Sequence, residues 1–385
     1  MRARPKILAY YFPDYHVDPR NEQWFGGGWT EWELVRSAVP RFHGHRQPRV
    51  PAMGYQDESD PAVAQSSIGL AHASGIDGFI FDYYWYDDGP YLQGALDQGF
   101  LRAPNHQGVE FSVMWANHDL LDIFPRADAR AKPPTLKEGA IGRRAFEAMA
   151  RHVIREYFAS PHYTRIGGRP RFSIYEVGNL VRGMGGIDQA RDALAWFDAL
   201  ARAEGHPGVH FDAVVWGFSV LPAEVPLRDP QRLISGLGFA SASSYVWLHH
   251  LDFRKRPFPD AGRWEGVADE VFAQYAHYAS TLGVPFHPNV TVGWDASPRI
   301  APGAPFDTGA QAYPPVWTSS PEGFEAGLRR AKRFVEARAG GYAEITINAW
   351  NEWTEGSYLL PDTVNGTRML DAVRHVFGPR DTRIR

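Results

Sequence analysis

The stretch INAWNEWTEG, residues 347–356, is the most informative part of the chain. An apolar β-type run from Ala343 to Ala349 leads into two tryptophans, an asparagine and two carboxylates, and Gly356 then lets the chain turn. In an extended chain, residues three apart point to opposite faces. Glu352 and Glu355 can therefore face the same cleft only if the chain turns between them. Indole rings offer a flat apolar surface with a polar edge, which suits a sugar ring. The stretch therefore predicts a strand that ends in a glycoside-processing site.

The same kind of strand recurs along the chain and predicts the fold. Eight short, β-rich apolar runs are present, and most end in Trp, Tyr, Asn, Asp or Glu: Lys6–Pro13, Ile76–Trp85, Glu110–Asn117, Pro170–Glu176, Phe211–Phe218, Phe239–Trp247, Phe286–Asp295 and Ala343–Trp353. Stretches of helical character separate several of them: Pro61–Ser74, Arg143–Phe158, Gln189–Glu204, Val267–Leu282 and Pro321–Ala337. Alternating strands and helices require a parallel sheet, and eight repeats predict a closed (β/α)8 TIM barrel of the α/β class.

The sequence has no Ser-, Gly- or Pro-rich linker that would divide it, so residues 1–385 are expected to form a single (β/α)8 domain. Two stretches dense in proline and glycine, Val17–Pro61 and Pro298–Pro315, lie between predicted strands. They are expected to be long loops over the C-terminal face of the barrel, where the functional loops of this fold lie.

Composition narrows the class of protein. The formal net charge is −4 with the two signs interleaved, so no basic stripe indicates a nucleic-acid partner. The absence of cysteine excludes disulfides, thiolate nucleophiles and Cys-ligated metals. No apolar run is long enough to cross a bilayer, and the run Ile7–Phe12 is shorter than a signal-peptide core, so a cytoplasmic protein is expected. His249-His250-x-Asp252 contains residue types that bind metals, but adjacent histidines on a strand or loop point in different directions. A metal site is therefore not expected, and no organic cofactor is expected either.

The carboxyl ends of the strands of a TIM barrel converge on one mouth. Nearly every predicted strand end carries an aromatic ring and a hydrogen-bonding group, which is the lining expected of a carbohydrate cleft. Arg299 and Glu176 also lie near strand ends, and several candidates have a structural alternative as core residues or as caps of loop backbone. The predicted substrate-binding residues are Tyr15, His16, Trp29, Glu31, Trp32, Asp82, Tyr84, Trp85, Trp115, Asn117, Tyr175, Tyr245, Trp294, Asp295, Asn351 and Trp353.

Glu352 and Glu355 are the candidate catalytic residues. Glycoside cleavage needs one carboxylic acid to protonate the leaving oxygen and a second carboxylate as base or nucleophile. Two like charges held close together raise the pKa of one of them, which keeps one carboxyl protonated near neutral pH. The structural alternative is that both glutamates pair with arginines at the start of a helix.

Several motifs occur together in one order. They are Tyr10-x-Phe12-Pro13-x-Tyr15-His16, Trp24-Phe25-Gly26-x-Gly28-Trp29-Thr30-Glu31-Trp32, His45-x-Gln47-Pro48-x-Val50-Pro51, Phe79–Trp85, Trp115-Ala116-Asn117, Arg169-Pro170-x-Phe172-x-Ile174-Tyr175, Asn348-Ala349-Trp350-Asn351-Glu352-Trp353-x-Glu355-Gly356 and Tyr358-Leu359-x-Pro361-Asp362. In this combination the sequence resembles the glycoside hydrolase family 99-like, WbsX-type proteins, and the resemblance runs from about residue 7 to 362.

The resemblance implies a (β/α)8 fold and retaining action on an α-linked oligo- or polysaccharide, mannosides in the characterised relatives. It assigns Glu352 as the base that deprotonates the substrate 2-OH, giving a 1,2-anhydro sugar, and Glu355 as general acid and then base. WbsX-type members have also been labelled transferases. A glycosyltransferase or transglycosylase in polysaccharide biosynthesis, or a non-catalytic carbohydrate-binding barrel, therefore stays open. Leu360 and His118 stand where relatives usually have acidic residues, which bears on the substrate subsite more than on the catalytic pair.

Overall fold

The computed structural model describes residues 4–125, 133–220, 224–252, 264–304, 320–338 and 341–379. Nine parallel strand segments form the wall of a barrel, and around the sheet they follow the order β7-β6-β5-β4-β3-β2-β1-β9-β8. The segments are β1 Lys6–Tyr11, β2 Gly78–Tyr86, β3 Glu110–Trp115, β4 Arg169–Ile174, β5 His210–Val214, β6 Ser241–Ser243, β7 Phe286–His287, β8 Asn289–Thr291 and β9 Glu344–Asn348.

Pro288 divides the seventh strand position into two segments. β7 pairs with β6 on one side and β8 pairs with β9 on the other, so the chain itself completes the ring. Proline has no N–H to donate to a ladder. Its carbonyl still accepts a hydrogen bond from the Thr346 amide at 3.0 Å. The predicted (β/α)8 barrel is therefore confirmed, with a seventh strand that is interrupted at one residue.

Helices surround the barrel and enter its loops. The five predicted helices correspond to α3, α4, α6, α8 and α9. Three further helices, α5, α7 and α10, were not predicted, because eight to ten residues give little periodicity. The bounds are α1 Pro19–Phe25, α2 Trp32–Ser37, α3 Pro61–Ala73, α4 Arg143–Val153, α5 Val177–Met184, α6 Ile187–Ala203, α7 Pro230–Leu237, α8 Trp264–Thr281, α9 Pro321–Glu336 and α10 Arg368–Phe377. None of the helices in these described ranges is long and apolar enough to cross a bilayer.

The stretch predicted as one long loop after β1 contains the short helices α1 and α2. It then meets the loop after β8, because the Arg41 guanidinium donates to the carbonyls of Ile300 at 2.6 Å and Ala301 at 3.1 Å. These two segments lie together beside the carboxyl ends of the strands. Residues 305–315 of the second predicted loop, Pro298–Pro315, lie outside the described residues.

A fully buried ionic cluster fills part of the barrel interior. Arg171 on β4 pairs with Asp212 on β5 at 3.0 Å and with Glu344 on β9 at 2.7 Å, and no part of the three side chains is exposed. Because β4 and β9 are not neighbours in the sheet, this arginine spans the interior. Asp212 also accepts hydrogen bonds from the hydroxyls of Ser241 at 2.6 Å and Ser243 at 2.7 Å. Burial alone would raise the pKa of Asp212, but Arg171 and these donors hold it well below its usual value.

Candidate active site

The chain turns directly after the last barrel strand. Two-residue strands, Asn351–Glu352 and Ser357–Tyr358, pair antiparallel, and a 3-10 turn over Trp353–Glu355 joins them. Gly356 closes the turn at φ +63°, and a Cβ at this position would stand 2.8 Å from the Cβ of Asp295. Glycine is therefore required here both by its backbone conformation and by the close approach.

The turn brings the two candidate catalytic glutamates to one arginine. Nη2 of Arg299 lies 3.0 Å from Oε1 of Glu352, and Nη1 donates to Oε1 of Glu355. A third carboxylate, Glu31, has Oε1 at 3.6 Å from the same Nη2. Its other oxygen accepts a hydrogen bond from the Thr354 hydroxyl. All four charged side chains are buried, so three carboxyl groups share one guanidinium with little water around them.

Burial raises the pKa of all three carboxyl groups, and repulsion from neighbouring carboxylates adds to the rise for Glu352 and Glu355. The pKa of Glu352 lies well above its usual value. Burial is the largest cause of this rise, and the negative charge of Glu355 is the second. The pKa of Glu355 and that of Glu31 are also raised by burial, with Arg299 acting in the opposite direction. Since the shared guanidinium offsets at most one of three negative charges, this group holds its protons more tightly than exposed carboxyl groups do.

These residues lie at one side of a cavity with about 820 Å³ of empty space, including the open space at its mouth. Asp82 lines the cavity and accepts a hydrogen bond from the Tyr245 hydroxyl at 2.9 Å. Burial raises the pKa of Asp82 well above the usual value. Asp14 accepts a hydrogen bond from the Asn21 amide at 2.6 Å, and its pKa is likewise raised by burial and by the charge of Glu31.

Eight of the 18 catalytic and binding candidates line this cavity, and the other ten do not. The lining set includes both catalytic candidates: Glu31, Asp82, Tyr84, Tyr175, Tyr245, Trp294, Glu352 and Glu355. The remaining predicted binding residues lie elsewhere: Tyr15, His16, Trp29, Trp32, Trp85, Trp115, Asn117, Asp295, Asn351 and Trp353. Their positions give most of them a supporting place around the cavity, and a direct contact with substrate is not indicated for them.

Strand alternation explains two of these positions. Trp85 and Trp115 face the helical layer, because alternate residues of a strand point to opposite sides of the wall. The Trp115 indole donates to the carbonyl of Trp85 at 3.2 Å and packs against Phe146 of α4, with ring centroids 5.8 Å apart. The side chain of Asn117 hydrogen-bonds to backbone, since it accepts from the Glu176 amide at 2.7 Å and donates to the Glu176 carbonyl at 2.8 Å.

Aromatic packing around the turn that carries Glu352 and Glu355 accounts for four more. Tyr15 and Trp32 pack with ring centroids 4.2 Å apart, and Trp32 and Trp353 with centroids 5.8 Å apart. The Tyr15 hydroxyl accepts a hydrogen bond from the Trp353 amide at 3.0 Å. Trp29 packs on Phe25, with centroids 4.4 Å apart. These rings hold the turn and its neighbouring loops in place.

Asp295 and His16 also lie behind the cavity wall. Oδ2 of Asp295 is 2.8 Å from Nε2 of His45 and 2.8 Å from Nε2 of Gln47, and the Asp295 amide donates to the Glu355 carbonyl at 2.5 Å. Asp295 thus fixes the backbone of Glu355. The ring of His16 stands so close to Gly94 that a Cβ there would be 2.5 Å away, which makes it a packing residue.

Asn351 links the turn that carries Glu352 and Glu355 to the end of β1. Its side chain accepts from the Phe12 amide at 2.8 Å and donates to the Phe12 carbonyl at 2.6 Å and to Oε1 of Glu58 at 2.5 Å. Burial raises the pKa of Glu58 to about 8. Glu58 is therefore protonated in the folded chain at neutral pH, whereas in the unfolded chain it ionises near its ordinary pKa of about 4.3.

Glu58→Gln is expected to gain stability relative to the parent as the pH rises. A folded pKa above the unfolded value means that the parent loses stability as pH rises from about 4.5 to 8, and glutamine does not titrate. The free energy of unfolding should change in favour of the variant by more than about 1 kcal/mol over this range, since one pKa unit corresponds to about 1.4 kcal/mol. Urea unfolding at pH 5 and at pH 8 measures it. A difference that is constant with pH would contradict the buried neutral acid.

Several cavity residues were not among the predicted binding residues. Arg299 lies near a predicted strand end, but no feature of the sequence signals that it holds both glutamates. His118, one of the two departures from the family pattern, lines the cavity, and burial lowers its pKa. Leu360, the other departure, does not line it. The other missed lining residues with polar side chains are Asp14, Tyr91, Asp119, Glu224 and His249. In the described part of the chain, no three His, Asp or Glu residues are grouped so as to hold a metal ion.

Comparisons with known proteins agree on family and fold. The family model described as Glycosyltransferase WbsX matches residues 7–373. Two curated relatives, each called Uncharacterized protein WxcX and belonging to two strains of Xanthomonas campestris pv. campestris, are 28% identical over 375 residues. The match covers 96% of this chain and 49% of each relative, so the chain spans about half the length of the curated relatives it matches.

Two solved structures share the fold over nearly their whole length. A glycoside hydrolase-like protein superposes with a TM-score of 0.60 at 11% identity, covering 98% of this chain and 94% of its own. The GH99 endo-alpha-mannosidase from Bacteroides thetaiotaomicron, in complex with BIS-TRIS-propane, gives 0.56 at 12% identity, covering 96% and 95%. The resemblance stated from the sequence motifs is confirmed. With its family model matched from residue 7 to residue 373, the chain belongs to the Glycosyltransferase WbsX family.

Proposed function

We propose that this chain is a carbohydrate-active enzyme that cleaves an α-linked, mannoside-like oligo- or polysaccharide with retention of configuration. The observation that carries the proposal is the group of three buried carboxyls, Glu31, Glu352 and Glu355, on one guanidinium beside a cavity lined by tyrosines. Raised pKa values keep a proton available within this group, and that is what a general acid needs at neutral pH.

The proposed first step uses both catalytic glutamates. Glu352 takes the proton of the substrate 2-OH, and the resulting oxygen attacks the anomeric carbon from the face opposite the leaving group. Glu355 gives its proton to the leaving oxygen as the glycosidic bond breaks, which leaves a 1,2-anhydro sugar. In the protonation state that this step needs, with the proton on Glu355 and Glu352 ionised, the raised pKa of Glu352 makes its carboxylate a stronger base than that of an exposed glutamate. Arg299 holds both groups in position and offsets the negative charge between them.

In the second step, Glu355 removes a proton from water, and the oxygen of that water attacks the anomeric carbon. The bond from this carbon to O2 breaks, and O2 takes back the proton held by Glu352. Both glutamates have then returned to their starting protonation states. Because the anomeric carbon is inverted twice, the product keeps the α configuration.

The second candidate function is transfer to a sugar acceptor. The family description names a glycosyltransferase, and a sugar hydroxyl can replace water in the second step without any other change in the site. Hydrolysis is preferred because the shared fold includes a named endo-alpha-mannosidase and the carboxyl pair suits acid–base cleavage. A carbohydrate-binding barrel without activity would not need a protonated carboxyl beside a second one.

The stereochemical course of the reaction tests the proposal. We expect that ¹H NMR during digestion of an α-linked mannotriose shows the α anomer of the new reducing end first, followed by slow mutarotation. In ¹⁸O-labelled water, hydrolysis places the label at the new reducing end, whereas transfer gives unlabelled longer oligosaccharides. Initial release of the β anomer would contradict the retaining mechanism, and binding without turnover of any α-mannoside would favour the non-catalytic alternative.

A further inference from the structure

The wall of the cavity formed by the ends of β4, β5 and β6 carries a second polar group. Tyr175 follows β4, Glu224 follows β5 and His249 follows β6, and all three line the same cavity as Glu352 and Glu355. Neither Glu224 nor His249 takes part in the cleavage steps proposed above. We call Glu224 and His249 the Glu224–His249 couple.

The couple is built from buried, hydrogen-bonded groups. The Glu224 carboxylate accepts from the Tyr175 hydroxyl, from the Val220 amide at 2.7 Å and from Nε2 of His249 at 3.2 Å. The side chain of His249 is 1% exposed and that of Glu224 is 0% exposed. This arrangement orients the imidazole, because a carboxylate beside Nε2 favours the tautomer with its proton on that nitrogen.

The loops that carry the couple are also fixed to each other. The His249 carbonyl accepts hydrogen bonds from the amides of Gly217 at 3.0 Å and Phe218 at 3.1 Å. The imidazole stacks on the Trp216 indole with ring centroids 4.8 Å apart and an interplanar angle of 25°. The imidazole is therefore placed against the cavity before any ligand arrives, which reduces the ordering cost of binding.

Nδ1 of His249 is buried and has no hydrogen-bond partner among the residues that the structure describes. With the ring proton on Nε2, Nδ1 carries a lone pair and acts as an acceptor. A buried acceptor left without a donor costs free energy, and most such atoms in folded proteins are satisfied. A hydroxyl group of a ligand in the cavity would supply the missing donor.

The position of the couple indicates which part of a saccharide it meets. Glu224 lies near enough to Glu355 for its charge to raise the pKa of Glu355, and the charge of Glu355 in turn raises the pKa of Tyr175. Glu355 is the group assigned to the oxygen that joins the cleaved sugar to its leaving group. The couple therefore borders the side of the cavity on which the leaving or accepting sugar lies.

Resting on the proposed function, we infer that the Glu224–His249 couple is the binding site for the leaving-group or acceptor sugar, with Nδ1 of His249 accepting a hydrogen bond from a hydroxyl of that sugar. Tyr175 and Glu224 hold the imidazole in the orientation that this contact needs. The couple is thus a specificity determinant of the second sugar position and has no part in proton transfer at the anomeric carbon.

Two substrates separate this role from a role in bond cleavage. An α-linked mannotriose has a sugar as its leaving group, whereas α-mannobiosyl fluoride has none. We expect His249→Gln to lower kcat/KM for mannotriose by about 10-fold, the value of one lost hydrogen bond. The loss with the fluoride should be at least fivefold smaller. His250→Gln is the matched control, because His250 is also buried but bonds to the Ser244 hydroxyl at 2.7 Å and does not line the cavity. His250→Gln should alter the ratio of the kcat/KM values for the two substrates by less than twofold.

The outcomes distinguish this inference from the proposed function. Equal losses with both substrates, or no loss with either, would overturn the assignment of the couple while leaving cleavage by Glu352 and Glu355 intact. No turnover of either substrate by the parent chain would overturn the proposed function, and this inference with it. If circular dichroism shows that His249→Gln does not fold, Glu224→Gln serves in its place, since it withdraws the carboxylate that orients the imidazole and should give the same selective loss.

Discussion

Glu355→Gln and Glu352→Gln are each expected to lower kcat for an α-linked mannotriose by about 10²–10⁴-fold, the usual contribution of a general acid or base. Glutamine keeps the shape of the side chain but can neither donate the proton that the leaving oxygen needs nor accept the proton of the 2-OH. Both side chains are buried against Arg299, so water can replace them only poorly. Initial rates of reducing-sugar release, measured at substrate saturation, give the comparison.

Glu176→Gln is the matched control for these two variants. Glu176 is a buried glutamate whose pKa is raised to about 8, mainly by burial, and it does not line the cavity. The same chemical change at this position should leave kcat within about threefold of the parent, because no reacting atom is near. Near-parental turnover in both Glu352→Gln and Glu355→Gln would remove the catalytic assignment. A loss in Glu176→Gln as large as in the other two would show that the losses come from disturbed folding.

Arg171→Met is expected to destabilise the fold by about 3–5 kcal/mol, the cost of removing one partner from a buried ion pair. The substitution leaves Asp212 and Glu344 inside the barrel without the guanidinium that bridges them. Methionine fills most of the volume but supplies no positive charge. Urea unfolding at pH 7, followed by tryptophan fluorescence, measures the difference in the free energy of unfolding.

The pH dependence of this difference identifies its cause. The folded pKa of Asp212 is depressed, so the stability that its pairing contributes is fully present above its unfolded pKa of about 3.9 and is lost as pH falls through the folded value. The gap between parent and variant should therefore narrow below about pH 4. Arg155→Met is the control: Arg155 is 73% exposed and pairs with Glu156 on the surface, so the change should cost less than about 1 kcal/mol. A loss below about 1 kcal/mol in Arg171→Met would contradict the structural role of the cluster.

The barrel was predictable because its strands are apolar, alternate with helical stretches and are followed by polar and aromatic residues. The break at Pro288 was not predicted, although a proline inside the run Phe286–Asp295 is visible, because a strand that pairs with different neighbours on its two halves leaves no local pattern. The interior cluster was missed for a similar reason. Arg171 lies within a predicted strand, but its partners Asp212 and Glu344 come from strands far away in the sequence.

The sequence predicted those site residues that lie close together along the chain. Glu352 and Glu355 stand in one turn, so the motif alone placed them together. Trp85 and Trp115 were predicted to bind substrate because they end strands, but alternation turns them toward the helices. Arg299, Glu224 and His249 come from loops, and only the folded chain brings them to the cavity.

The leaving-group dependence of Glu355→Gln tests the central claim most directly. A general acid matters for a sugar leaving group, which needs protonation, and matters little for fluoride, which leaves without it. Steady-state and burst kinetics with α-mannobiosyl fluoride and α-linked mannotriose are therefore compared in the parent, Glu352→Gln and Glu355→Gln. We predict that the decrease in the rate of the first step caused by Glu355→Gln is at least 10-fold smaller with the fluoride than with mannotriose. Glu352→Gln should decrease this rate equally with both substrates. Equal losses with both substrates in Glu355→Gln would contradict its role as the acid.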